Sequence, residues 1–378
     1  MIAIPVALLA CCNGSGPAVT GSPNPTPAGP TGTPTASNPA PSCTLDVSRW
    51  SVERLAGAVL TAPAKMADLP SLAGMVSSGI GGILLFGLPP ADLSTQLAQL
   101  ARAAGSWPLL VSSDEEGGGI QRLGSVTGSL PWARDLAHRS PIDIRAMVRT
   151  VAGRMRAVGV RVDLAPVADL DAGPGPDAQH PDGKRSFSSD ASTATSATIA
   201  FARGLLDAGV IPVIKHFPGL GTAKGNTDEG AATTAPLSAL RTRDLLPFVA
   251  AINDGLPAVM TSNAIVPGLS GQPVSISADA TTRMLREELH FNGVVFTDSL
   301  SAKAIADAGL TVPQAAVQAI QAGADNVIFG KDDTPDPPAL AASVRAALVA
   351  AVESRQISSA RLRTSVVRLA TMVGARTC

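Results

Sequence analysis

"IPVIKHFPGLG" (residues 211–221) carries an apolar run straight into a lysine, a histidine and a glycine-rich turn. Short runs this rich in Val and Ile suit a strand buried on both faces of a parallel sheet. Charges where such a strand leaves the core are costly unless partners meet them there. The arrangement recurs along the chain. The runs "LAGAVLTA" (55–62), "GGILLF" (81–86), "PLLVSS" (108–113), "VRVDLAP" (160–166), "PAVMTSN" (257–263), "GVVFTD" (293–298) and "DNVIFG" (325–330) predict further strands. Between them lie helix-period segments such as "LSTQLAQLARAAG" (93–105), which ends at a glycine stop, and "ALAASVRAALVAAVESRQ" (339–356).

Eight strands alternating with helices predict a (β/α)8 TIM barrel, with residues 44–378 as a single catalytic domain. The rival is an open doubly wound sheet. In a barrel, strand C-termini open on one face, where active sites are built. Polar residues follow five of the runs: Asp114, Glu115, Glu116 and Arg122 in "DEEGGGIQRL"; Asp169, then Arg185 in "GKRSF"; Lys215 and His216; Asn263; and Asp298. Each has a plainer reading alone. Asp298 could cap the next helix, although Ser299 and Ser301 could fill that place. Lys215 and His216 could pair with a structural carboxylate, and "DEEGGG" could be a surface turn. Gathered at one end of a barrel, they make a bowl of carboxylates and cations suited to acid/base hydrolysis of a glycoside.

Composition narrows the alternatives. The chain is 45% hydrophobic with a net charge of −1, which argues against a nucleic-acid partner. Aromatics make up 3% and tyrosine is missing, so polar groups would hold a sugar. The four histidines show no metal-ligand spacing, and "GLGTAKG" lacks the order of a phosphate loop or dinucleotide fingerprint. Neither a metal nor a cofactor is expected.

The N-terminal stretch reads differently. "MIAIPVALLACC" is too short to span a bilayer, and residues 1–11 read as a secretory signal. It resembles a bacterial lipobox with Cys11 as the lipidated residue; an ordinary signal peptide is the alternative. Residues 12–43, rich in Pro, Gly, Ser and Thr, bury too little surface to order and read as a tether. The protein is therefore expected to be exported and held to the outer face of the cell membrane by its lipid alone. Cys43 and Cys378 flank the domain. In an exported protein they suggest a disulfide stapling its ends, worth roughly 5 kcal/mol before strain; two unpaired buried thiols are the alternative.

In order, "DEEGGGIQRL", "GKRSF", "KHFPGLG" and "GVVFTDSL" resemble the β-N-acetylglucosaminidases of glycoside hydrolase family 3, over essentially residues 50–375. "IGGILLFG", "VDLAPVADLD", "AVMTSNAIVPGL" and "AGADNVIFG" extend the likeness. The resemblance implies a barrel and a retaining exo-β-N-acetylglucosaminidase that releases terminal N-acetylglucosamine from muropeptides, expected as a monomer. It implies Asp298 as nucleophile, with Asp114, Arg122, Arg185, Lys215 and His216 binding the terminal sugar.

The chain departs from the family where "KHFPG-x-G" is usually followed, after four residues, by Asp-Ser-His. Here Asn226-Thr227-Asp228 stands in its place. Three accounts follow: Asp228, shielded from water, is the acid/base; Glu229 on a mobile loop takes that role; or catalysis is lost and a muropeptide- or chitosaccharide-binding lipoprotein remains. Transfer of the sugar to phosphate or another acceptor is a further possibility. Gly119 stands where the family often has arginine, and Asn263 where relatives often have histidine.

Overall fold

The computed structural model describes residues 45–177 and 180–377. Cys11, Cys43 and Cys378, and with them the signal, the tether and the proposed disulfide, lie outside the described residues. Leu45 pairs with Thr377 in a parallel bridge, and the Leu45 amide donates to the Arg376 carbonyl at 3.0 Å, so the described ends of the domain meet.

The first predicted strand is corrected. Ser51 accepts a hydrogen bond from the Arg54 amide and starts helix α1 (Val52–Ala58), which takes up much of the 55–62 run. Strand β1 follows at Leu60–Lys65. Leu, Ala and Gly serve a buried helix as well as a buried strand, and the Ser cap decides in favour of the helix.

The remaining strands fall within their predicted runs: β2 (Gly82–Phe86), β3 (Leu110–Ser113), β4 (Val162–Asp163), β5 (Ile211–Pro212 and Ile214–Phe217), β6 (Ala258–Thr261), β7 (Val294–Thr297) and β8 (Val327–Ile328). All neighbours pair in parallel. One sheet runs β8-β1-β2-β3-β4-β5 and the other β7-β6-β5, so β5 belongs to both. A bridge from Phe296 to Asn326 joins β7 to the start of β8 and closes the ring. This is the (β/α)8 barrel, not the open sheet.

Helices α2 (Leu93–Ala103), α3 (Pro141–Val158), α4 (Ala191–Asp207), α5 (Leu246–Asn253), α6 (Val312–Ala322), α7 (Pro337–Glu353) and α8 (Ser359–Met372) pack outside. Leu93, Leu97 and Leu100 of α2 are buried, as are Ile144, Val148, Val151 and Met155 of α3, the stripe that 3.6-residue periodicity produces. At the barrel's other end, Asp325 before β8 is fully buried and accepts from Arg286, Arg361 and Arg368 at 2.6, 3.4 and 3.1 Å. That knot ties α8 to the sheet. No helix among the described residues is long and apolar enough to cross a membrane.

Candidate active site

The carboxylates of "DEEGGG" part company in the fold. After β3 the chain makes a small antiparallel hairpin, Glu115–Gly117 against Ile120–Gln121. Glu115 is fully buried and braces it, accepting from the Arg122 and Leu123 amides at 3.2 and 3.1 Å and from the Ser113 hydroxyl at 2.5 Å. Burial pushes its carboxyl up to about 7 against those donors. Glycine is required at the tip. Gly118 has φ +58°, and a Cβ there would lie 2.0 Å from the Trp132 ring. A Cβ at Gly119 would meet the same ring at 2.9 Å, so Trp132 crowds the position compared above with the family's frequent arginine.

Asp114 and Glu116 enter a network of ion pairs with the cations. Lys215 Nζ lies 2.8 Å from Asp114 Oδ1 and 2.6 Å from Glu116 Oε1. Arg185 grips Glu116 bidentately, Nε to Oε2 at 2.7 Å and Nη2 to Oε1 at 2.9 Å. Burial works against the charges on Glu116 and Lys215. Arg185 and Lys215 outweigh it and hold Glu116 well below the usual carboxylate range; Asp114 and Glu116 hold Lys215 above its ordinary value. Arg122 lies 3.6 Å from Asp114 Oδ2 and stacks on Phe86, 4.8 Å from the ring centroid. Its buried Nε has no hydrogen-bond partner among the described residues.

Lys215 and His216 both line the cavity, and the peptide bond between them is cis. His216 is anchored by Asp169, whose Oδ2 lies 2.7 Å from Nδ1 and accepts the His216 amide at 3.0 Å, while Oδ1 accepts the Leu220 amide at 2.6 Å. A Cβ at Gly221 would sit 2.2 Å from the Leu170 carbonyl oxygen, so the "GLG" turn needs glycine to pack here. Burial pushes His216 down, favouring the neutral ring, and raises both Asp169 and Asp182 to about 7. Asp169, Asp182 and His216 bring ligand atoms within 4.8 Å of one another, a set that could hold a cation and that sequence spacing did not reveal. The neighbouring Arg185, 3.4 Å from Asp182, already supplies positive charge there.

Asp298 follows β7 and is clamped by its neighbours. Its amide donates to the Thr261 carbonyl of β6 at 2.9 Å, and its Oδ1 accepts the Ser299 amide at 2.7 Å. It caps no helix. Ser299 Oγ donates to the Gly330 carbonyl, and Ser301 Oγ accepts the Gly330 amide, tying this loop to the one after β8. Burial raises the Asp298 carboxyl, His216 opposes that rise, and Asp228 adds to it. Asn263 does not line the cavity. It is fully buried, donates from Nδ2 to the Ser299 carbonyl at 2.8 Å and accepts the Ser275 hydroxyl at 2.6 Å. It fixes the backbone beside Asp298.

Asp114, Arg122, Arg185, Lys215, His216, Asp228 and Asp298 all line one cavity of about 440 Å³ at the strand C-termini. Asn226 and Thr227 line it too, but Glu229 does not. The loop is held in place: Lys224 bridges Thr233, Asn226 Oδ1 accepts the Asp228 amide at 3.0 Å, and Asp307 accepts the Ala231 amide at 3.1 Å. The expected shielding of Asp228 is corrected. Its side chain is 65% exposed and lies 3.5 Å from Lys331 Nζ, because the loop sits at the rim rather than inside the barrel.

With that geometry in view, residues 71–372 match the family described as glycosyl hydrolase family 3 N terminal domain. The chain belongs to glycosyl hydrolase family 3. It is 38% identical over 306 residues to the beta-hexosaminidase LpqI of Mycobacterium tuberculosis, covering 78% of this chain and 76% of that protein. A beta-hexosaminidase of Stenotrophomonas maltophilia is 33% identical over 259 residues, 66% of this chain and 76% of that one. The solved structure of M. tuberculosis LpqI superposes with a TM-score of 0.80 at 33% identity, covering 89% of this chain and 98% of that one. A β-N-acetylhexosaminidase from Beutenbergia cavernae gives 0.78 at 30% identity, over 86% and 99%.

As a family 3 glycoside hydrolase, the protein carries site residues that spacing alone did not single out. Glu116, Asp182 and Lys331 line or brace the cavity. Glu116 is named within "DEEGGGIQRL" but given no role, Asp182 pairs with Arg185 three residues on, and Lys331 meets Asp228 only across the rim.

Proposed function

We propose that the protein is a retaining exo-β-N-acetylglucosaminidase that releases terminal N-acetylglucosamine from peptidoglycan fragments, acting as a monomer. The observation that carries this is one cavity holding Asp298 together with Asp228 and the five polar groups expected to bind the sugar. The beta-hexosaminidase names of its relatives support the same chemistry.

In this mechanism Asp114, Arg122, Arg185, Lys215 and His216 engage the hydroxyls of the terminal sugar by charge-assisted hydrogen bonds. An Asp298 oxygen attacks the anomeric carbon as the glycosidic bond breaks, and Asp228 protonates the departing oxygen. Asp228 then takes a proton from water, which displaces Asp298 and restores the starting configuration. Bound glycan covers the rim and supplies the shielding that Asp228 lacks.

Proton NMR of the first product of N,N′-diacetylchitobiose hydrolysis tests this: the β anomer of N-acetylglucosamine is expected to appear first. Initial α product would refute retention. The exposed Asp228–Lys331 pair favours a second reading, a silent glycan-binding protein. That reading requires no turnover of any N-acetylglucosaminide, with N-acetylglucosamine still raising Tm.

We also propose export with a lipid on Cys11 and a Cys43–Cys378 bridge, the latter supported by the Leu45–Thr377 pairing. Intact mass of the membrane-extracted protein, before and after reduction, tests both.

A further inference from the structure

Outside the sugar cavity, a groove of about 470 Å³ runs between α2 and α3. Pro108 and Leu109, which lead into β3, and Arg161, which leads into β4, place its open end where these strands begin, opposite the face that holds Asp298. The floor is apolar. Leu97 of α2, Trp107, Leu109 and Val111 of β3 line it, and the Trp107 indole is fixed by donating to the Gly81 carbonyl at 2.7 Å. Its charge is all of one sign: Arg156 and Arg161 line the groove and no carboxylate does.

These two cations are left unpaired. Among the described residues, neither guanidinium has a hydrogen-bond or ion-pair partner, whereas Arg145 of the same helix as Arg156 grips Asp207 at 2.6 and 2.7 Å. Burial lowers the Arg161 side chain from its ordinary value, and the charge of Arg156 lowers it further. Arg156 lies in the last turn of α3, where the helix end favours a cation. Nothing among the described residues offsets Arg161. A half-buried guanidinium facing a like charge is costly until an anion joins it.

We propose that this groove binds a phosphate ester carrying an apolar chain, with the phosphate on Arg156 and Arg161 and the chain along Leu97 and Leu109. A planar carboxylate suits one guanidinium fork, whereas a tetrahedral phosphate presents oxygens on several sides and meets two. The floor behind the arginines has no polar side chain for a second charged group. Trp107 meets Trp50 at 5.7 Å between ring centroids, and Arg54 donates to Ser106 of the groove at 3.4 Å. The segment by which the chain enters the domain after Leu45 therefore passes beside the groove. A bilayer holding the N-terminal lipid proposed above would offer phospholipids to this face. The site itself is independent of the glycosidase reading.

Calorimetric titration of the full chain, with Cys11→Ser to prevent lipidation, tests this with three soluble probes. These are dihexanoyl phosphatidylglycerol and dihexanoyl phosphatidylcholine, both below the concentration at which they form micelles, and glycerol phosphate. Phosphatidylglycerol is expected to bind at least about 10-fold more tightly than either of the others. Arg156→Gln combined with Arg161→Gln is expected to remove that advantage and leave Tm unchanged, since neither arginine has a partner to lose. Cosedimentation with vesicles separates the sources: sedimentation with phosphatidylglycerol vesicles that requires both arginines supports a ligand held in a bilayer, and binding of the short-chain form alone supports one taken from solution. Equal affinity for the two lipids, glycerol phosphate binding as tightly as phosphatidylglycerol, or an affinity unchanged in the double variant would overturn the proposal.

Discussion

Lys215 Nζ stands 2.6 Å from Glu116 Oε1, both side chains 3% exposed, with Arg185 gripping the same carboxylate from its other side. One anion thus holds two cations in the cavity wall. Removing one member of a buried ion pair leaves the other uncompensated, at a cost of about 3–5 kcal/mol. Glu116→Gln is expected to lower stability by about that much in denaturant melts, and to raise KM for an aryl N-acetylglucosaminide in the protein that remains folded.

Asp298 touches the anomeric carbon in the proposed mechanism, so Asp298→Ala is expected to cut kcat by more than about 10³-fold. Its Tm should remain near the wild-type value, since among the described residues the lost side chain accepts only the neighbouring Ser299 amide. A variant retaining a tenth of wild-type turnover would exclude Asp298 as nucleophile.

Asp228→Ala is expected to slow chitobiose, with its poor leaving group, by roughly 10²-fold or more. Bond cleavage in a dinitrophenyl N-acetylglucosaminide, read as the burst of released phenol, should fall far less, because that group departs without a proton. Unchanged rates for both substrates would remove Asp228 from the mechanism.

Glu115, Asp169 and Asp182 are each raised to about 7 from ordinary values of 4.5, 3.8 and 3.8. Between about pH 4.5 and 7 the folded state therefore binds more protons than the unfolded chain, and stability falls as pH rises through that window. His216, lowered by burial, acts oppositely and adds stability as pH rises toward 6.5. Glu116, held low, adds stability above 4.5 that is lost only in strong acid. Asp163 and Asp298, also raised by burial, act with these three against one imidazole and give an expected Tm higher at pH 5.5 than at 7.5. Asp182→Asn should flatten that slope, and an unchanged slope would contradict the assignment.

Asn263 links two strand ends through its amide, and Asn263→Ala leaves a part-buried carbonyl and a buried hydroxyl short of a partner. A loss of about 1–3 kcal/mol is expected. If Asn263 positions the Asp298 loop, kcat should fall while KM holds; a Tm change alone would make its role purely structural.

The sequence by itself favoured the barrel over an open sheet and marked the rim. Runs such as "GGILLF" and "GVVFTD" are short and rich in Ile, Val and Phe, which suits buried strands, and a closed parallel ring opens every strand's C-terminus on one face. That placed Asp114, Lys215, His216 and Asp298 together. The first run was misjudged because Leu, Ala and Gly suit a buried helix equally, until the Ser51 cap is seen in place. Only the tertiary structure decided how the charges are shared. Lys215 and Asp114, 101 positions apart, meet at 2.8 Å, and neighbours in "DEE" take opposite tasks. Exposure is decided there too: Asp228 and Lys331 face water because their loops lie on the rim. Contacts across the barrel depend on strand tilt and loop packing, which no local pattern of residue types encodes.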